Sequence, residues 1–215
     1  EDPRCATLPS EEERASWLAL AGEKGLGYTV HLPVGMNLGS SDDTRRRQGL
    51  SACRTVLDWT LPLDPRAWIL HLEPWPGPGR DGAWCRRCRD SVHGLLDAGI
   101  VPRKLALESL NYPLDVLEPI LLGEDVSCCL DVGHCLRWHL PLWHQLEQWL
   151  DRIRVIHLHG CVGERDHLPL THLTPGLLAD LLGLLRKKGW DGVLTLEVFG
   201  LQGLLESLDV LGGKR

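Results

Sequence analysis

Six residues of types that bind metals recur along this chain: His31, His71, Glu108, Asp131, His157 and Glu197. Imidazole and carboxylate are the usual ligands of zinc, manganese and iron. Each of the six stands near the C-terminal end of a short apolar run. A lone histidine in such a place is most simply a hydrogen-bonded residue, but six consecutive runs that all end this way point to a polynuclear metal site. Three further positions extend the set. His134 follows Asp131 by three residues in CLDVGH, Asp166 and His167 are adjacent in GERDHLPL, and His159 lies two residues beyond His157. If the strand persists, His159 shares its face, where it either joins the chemistry or merely orients a ligand or touches substrate.

The elements that must position these groups are legible from pattern. Strands are predicted at 28–32, 67–72, 104–109, 126–131, 154–159 and 192–198, each a brief and mostly continuous apolar run, as parallel strands buried on both faces should be. Helices are predicted near 10–24, 42–59, 82–98, 114–122, 141–151, 175–188 and 201–211, with starts at Asp42-Asp43-Thr44 and Thr174-Pro175 and stops at Gly99 and Gly189. Such alternation implies a parallel α/β fold. A doubly wound nucleotide-binding sheet should carry a glycine-rich fingerprint after its first strand, and none is present. A (β/α)8 TIM barrel fits better, because its chemistry lies at the C-terminal ends of the strands. The six candidate ligands are spaced by 40, 37, 23, 26 and 40 residues. Eight units of that size need about 260 residues, a usual barrel length. The expectation is therefore a single domain over residues 1–215 that is N-terminally incomplete, lacking the first two strands, with Glu1 near the end of the second.

Composition narrows the partners. The net charge of -6 and the lack of a basic run argue against a dedicated nucleic-acid binder, though not against a small phosphate-bearing substrate held by metal. The eight cysteines suggest no disulfide framework. Cys85 and Cys88 form a CxxC within a predicted helix and have no second pair, so structural zinc or redox use is the lesser reading. With no apolar segment long enough to span a bilayer and no legible signal peptide, the expected setting is the cytoplasm, away from membranes. The oligomeric state is left open.

The ordered series H…H…E…DxxH…HL…D/H…E resembles the endonuclease IV and xylose-isomerase-like barrels, also called AP endonuclease family 2. The likeness covers nearly the whole chain and rests on nine positions. It implies up to three divalent ions, zinc or manganese. His31, His71 and a bridging Glu108 would hold one; Glu108, Asp131, His157 and Glu197 a second; His134, Asp166 and His167 a third. The family's Asp-x-His is here an adjacent Asp166-His167, which weakens the third assignment. A repair endonuclease of this family should be longer and carry basic loops. A sugar isomerase or epimerase needs one ion only, so the full ligand set favours phosphoester hydrolysis.

The segments YTVHLP, LALESLNYP, LDVGH and above all VIHLHG followed by RDHLPL look like the cobamide-remodelling phosphodiesterases. That resemblance implies cleavage of the nucleotide loop of adenosylated cobamides to adenosylcobinamide phosphate and a lower-ligand riboside. The expected partner is thus a small-molecule cobamide. Glu108 or Glu197 then orients the attacking water, His159 belongs to the catalytic set, and Arg165 is either a phosphate clamp or a solvated loop charge. Trp75 and Trp138 either cover a flat ligand such as a corrin or simply pack. Two alternatives stay open: a sugar (phosphate) isomerase or epimerase, and a non-catalytic corrinoid- or sugar-binding barrel.

Overall fold

The computed structural model describes residues 8–78 and 81–212; Cys5 lies outside them. The chain divides into two compact units, Glu1–Glu108 with Val116–Ser127, and Ser109–Asp115 with Cys128–Arg215.

In the first unit the described elements are α1 (Glu11–Lys24), β1 (Thr29–His31), α2 (Asp43–Thr60), β2 (Ala67–Leu70), α3 (Asp81–Leu96), β3 (Leu105–Glu108) and α4 (Glu118–Gly123). The strands pair in parallel, with His31 opposite Ile69 and Trp68 opposite Leu105. Every residue of β2 and β3 is buried, as their unbroken apolar runs require. The Asp42 carboxylate caps α2 by accepting the Thr44 and Arg45 amides at 2.8 and 3.2 Å, where the sequence places a helix start. Helix α2 then buries Gly49, Cys53, Leu57 and Thr60, which recur at helical spacing on one stripe. Cys85 and Cys88 lie among the buried residues of α3 with Trp84, Val92 and Leu95. They are core thiols, and burial holds that of Cys88 far above the ordinary range.

The second unit contains β4 (Ser127–Asp131) from Cys128 onward, α5 (Val132–Arg137), α6 (Leu142–Trp149), β5 (Ile153–Leu158), β6 (Gly160–Val162), β7 (Arg165–Leu168), α7 (Leu177–Lys188), β8 (Val193–Leu196) and α8 (Leu201–Val210). Strands β4, β5 and β8 are parallel, with Asp131 opposite His157 and His157 opposite Thr195. Two elements differ from the sequence expectation. The stretch read as a polar loop, GERDHLPL, contributes β7 of an antiparallel hairpin with β6, turned at Gly163 with φ 59°. A separate one-turn helix, α5, follows Asp131 directly. Short polar strands and single helical turns leave too little periodicity to detect.

Candidate metal centre

The strand ends place the six ligand types as the spacing predicts. His31, Glu108 and Asp131 are the last residues of β1, β3 and β4; His71 and Glu197 follow β2 and β8 by one; His157 is the penultimate residue of β5.

In the first unit, His31 Nε2 and His71 Nε2 lie 3.2 and 2.9 Å from the same Glu108 oxygen, Oε2. The rings meet edge to face with centroids 4.6 Å apart. His31 Nδ1 donates to the Leu32 carbonyl at 2.8 Å, so Nε2 carries the lone pair that faces the carboxylate. Glu108 is 1% exposed, and a carboxylate so buried among nitrogen lone pairs calls for a cation, either a proton or a metal. In the metal-free chain a proton answers. Burial disfavours a charged His71, but hydrogen bonding and charge from Glu108 and Glu73 outweigh it and lift the ring to about 9. Glu73 was not foreseen as part of this group. Its Oε1 is 3.7 Å from His71 Nδ1 and accepts the Gly35 amide at 2.6 Å, and the His71 contact lowers its carboxyl. A carboxylate behind a histidine is the usual means of aiming a ligand.

In the second unit, one ligand atom from each of Asp131, His157 and Glu197 falls within 4.8 Å of the others. His157 Nδ1 is 2.9 Å from Glu197 Oε2 and 3.9 Å from Asp131 Oδ2. The DxxH spacing has a mechanical cause. Asp131 is both the end of β4 and the cap of α5, its Oδ1 accepting the His134 amide at 2.7 Å. One helical turn therefore returns His134 to the carboxylate, with Nδ1 3.4 Å from Oδ2. The Asp131 amide in turn donates to Ser109 Oγ at 3.0 Å.

His134, His159 and His167 also converge within ligand distance of one another. The rings of His159 and His167 stack at 4.3 Å, and Phe199, 76% exposed, stacks on the other side of His167 at 4.7 Å. Asp166 is not brought into this trio. One of its oxygens takes His167 Nδ1 at 3.0 Å and the other is bound by Arg137. Burial would raise the Asp166 carboxyl, yet His167 and Arg137 prevail and hold it down at about 2. Asp166 thus faces the back of His167 and leaves His167 Nε2 to point at Glu197 Oε2, 3.8 Å away. Arg165 is exposed on β7, whereas Arg137, which the sequence did not single out, holds Asp166 and lies over the Trp138 ring at 5.0 Å. Trp75 is half-buried and Trp138 is 47% exposed. An arginine six residues past a helix-capping aspartate carries no motif, so only the fold reveals it.

In each unit the parallel strands carry histidines and carboxylates at or next to their C-terminal ends, groups that could hold a metal ion, in an α/β arrangement of barrel type. The family model described as xylose isomerase-like TIM barrel, AP endonuclease family 2, matches residues 1–212, and the chain belongs to that family. Among solved structures, endonuclease IV from Thermus thermophilus is 20% identical with a TM-score of 0.76, over 99% of this chain and 85% of that one. A D-tagatose 3-epimerase-like protein is 18% identical with a TM-score of 0.75, over 94% and 82%. D-psicose 3-epimerase from Clostridium cellulolyticum is 16% identical with a TM-score of 0.71, over 95% and 83%. At these identities the likeness is one of fold. The sequence matches no curated protein. Among the described residues no helix is long and apolar enough to cross a membrane.

Proposed function

We propose that the chain is a metal-dependent phosphodiesterase that hydrolyses the nucleotide loop of adenosylated cobamides, leaving adenosylcobinamide phosphate and a lower-ligand riboside. The observation that supports hydrolysis is the surplus of ligands. Asp131, His157 and Glu197 already offer three donors for one ion, yet His31, His71 and Glu108 form a second group, and His134 and His167 stand beside the first. An isomerase has use for one ion. Clustered divalent ions, zinc or manganese, would supply positive charge to the phosphodiester oxygens and a water activated near neutral pH. The cobamide class itself rests on the resemblance carried by VIHLHG and RDHLPL.

On this reading water adds to phosphorus, the bond from phosphorus to the riboside oxygen breaks, that oxygen takes a proton, and phosphate stays on the cobinamide. Glu197, 25% exposed and in contact with His157 and His167, is the carboxylate placed to orient the water; Glu108 is too buried among imidazoles to reach far beyond them. Arg165, exposed at the start of β7, is the charge available to a phosphate, since the Arg137 guanidinium is already committed to Asp166. The reaction belongs to the cytoplasm and to a small substrate.

A second reading is a sugar or sugar-phosphate isomerase or epimerase, favoured by the epimerases among the similar folds. Metal-loaded protein incubated with an adenosylcobamide, followed by chromatography and mass spectrometry, separates the two. Cobinamide phosphate is the expected product. No cobamide turnover together with epimerisation of a ketose would transfer the assignment to the second reading, and neither activity would leave a binding barrel without chemistry.

A further inference from the structure

His159 sits at the centre of the second unit's ligands and is 0% exposed, yet its two ring nitrogens are both spent on the protein. The His167 backbone amide donates to His159 Nδ1 at 2.9 Å. A peptide N–H can only donate, so Nδ1 is the unprotonated nitrogen and the ring proton is on Nε2. The Gly160 carbonyl, 3.2 Å from the same Nδ1, is another acceptor and forms no bond in that tautomer. Nε2 faces the Asp131 carboxylate, 3.0 Å from Oδ1 and 3.2 Å from Oδ2, and donates to it. Neither nitrogen is left to bind an ion.

The pocket is shaped for this ring. A Cβ on Gly133 would fall 2.0 Å from His159 Cε1, so the glycine of LDVGH is what lets the imidazole slide under α5. The His167 ring stacked in parallel on the other face completes the slot.

We infer that His159 is a positioning residue, an imidazole clamp that aims the Asp131 carboxylate through Nε2–H and sets the backbone of His167 through Nδ1. It stands apart from His134, His157 and His167, which take ligand roles. The inference rests on the metal reading of this site. Hydrogen bonds from outside that fix a ligand's orientation are commonly worth 10- to 100-fold in metal affinity, about the effect expected here.

Two substitutions separate the two bonds. The amide nitrogen of glutamine reaches about as far as Nε2, whereas the amide oxygen of asparagine reaches only as far as Nδ1. His159→Gln should therefore keep the bond to Asp131, and His159→Asn should keep only the bond to the His167 amide. The full chain would be loaded with cobalt(II) at pH 8 and followed by its visible absorption and by competition with a chelator. The expected result is a roughly 10- to 100-fold loss of affinity with an altered band for His159→Asn, and near wild-type behaviour for His159→Gln. Equal affinity and spectra in wild type and both variants would overturn the inference while leaving the metal site intact. So would equal losses in both, because ring packing and not the Nε2 proton would then be responsible. No cobalt bound by wild type would remove the metal reading and this inference together. A heteronuclear imidazole spectrum of the wild-type protein should show the Nε2–H tautomer for His159, and an Nδ1–H tautomer would overturn the inference even if the asparagine variant failed to fold.

Discussion

Glu108 shows how much chemistry one buried oxygen can organise. Two imidazole nitrogens converge on its Oε2, so removing the carboxylate leaves two histidines with nothing to bind between them. Glu108→Ala should lower the bound metal measured by elemental analysis by at least one ion per chain and reduce turnover by at least about 100-fold. Unchanged metal content would contradict its role as a ligand. His71 yields a pH prediction. Its folded, metal-free value of about 9 lies above the ordinary imidazole value of 6.5. The folded chain therefore holds a proton the unfolded chain does not. The resulting stabilisation, on the order of 3 kcal/mol, is complete below the unfolded value and drains away as pH rises through the folded one. Urea melts of chelator-treated protein should lose stability across that window, and His71→Gln should flatten the loss. Metal must displace the same proton, so the apparent affinity of this group should climb with pH over the same window. A flat affinity profile would refute the linkage.

At the level of elements, the junction of β4 and α5 does two things with one residue. Asp131 closes the strand, caps the following turn and presents its carboxylate to three histidines. Asparagine caps a helix about as well as aspartate, but carries no charge and offers one acceptor oxygen. Asp131→Asn should therefore keep α5 and most of the stability while losing metal and activity. Asp131→Ala should also cost about 1 kcal/mol for the cap, more if the buried histidines are left unpaired. Thermal melts of the two variants beside their metal contents test this. Identical melting temperatures would mean that the cap contributes nothing. The same junction explains why Gly133 is tied to the site, since any side chain there collides with the ring that holds Asp131.

For the molecule as a whole, a site built of buried acids and imidazoles couples metal to stability. An ion that binds only the folded chain raises the unfolding free energy by about 2.7 kcal/mol per site at 100 times its Kd. Calorimetry with increasing zinc should shift the melting temperature upward, and a chelator should reverse the shift. A melting temperature indifferent to metal would mean that the clusters hold none in solution.

The residue types and their recurrence were enough to predict the α/β class, the barrel family, six strands within two residues of their observed ends, and the histidines and carboxylates that stand at those ends. That is because strand burial writes itself as continuous apolar runs and a barrel confines its chemistry to one end of each run. The partners of those ligands were not legible. Glu73 behind His71, Arg137 on Asp166 and the two bonds of His159 join residues separated by 2, 29, 28 and 8 positions, with no shared spacing. Whether a histidine binds an ion or steadies a neighbour depends on which of its two nitrogens meets a donor and which an acceptor. Sequence places the ring on a strand face, and only the packed structure orients it.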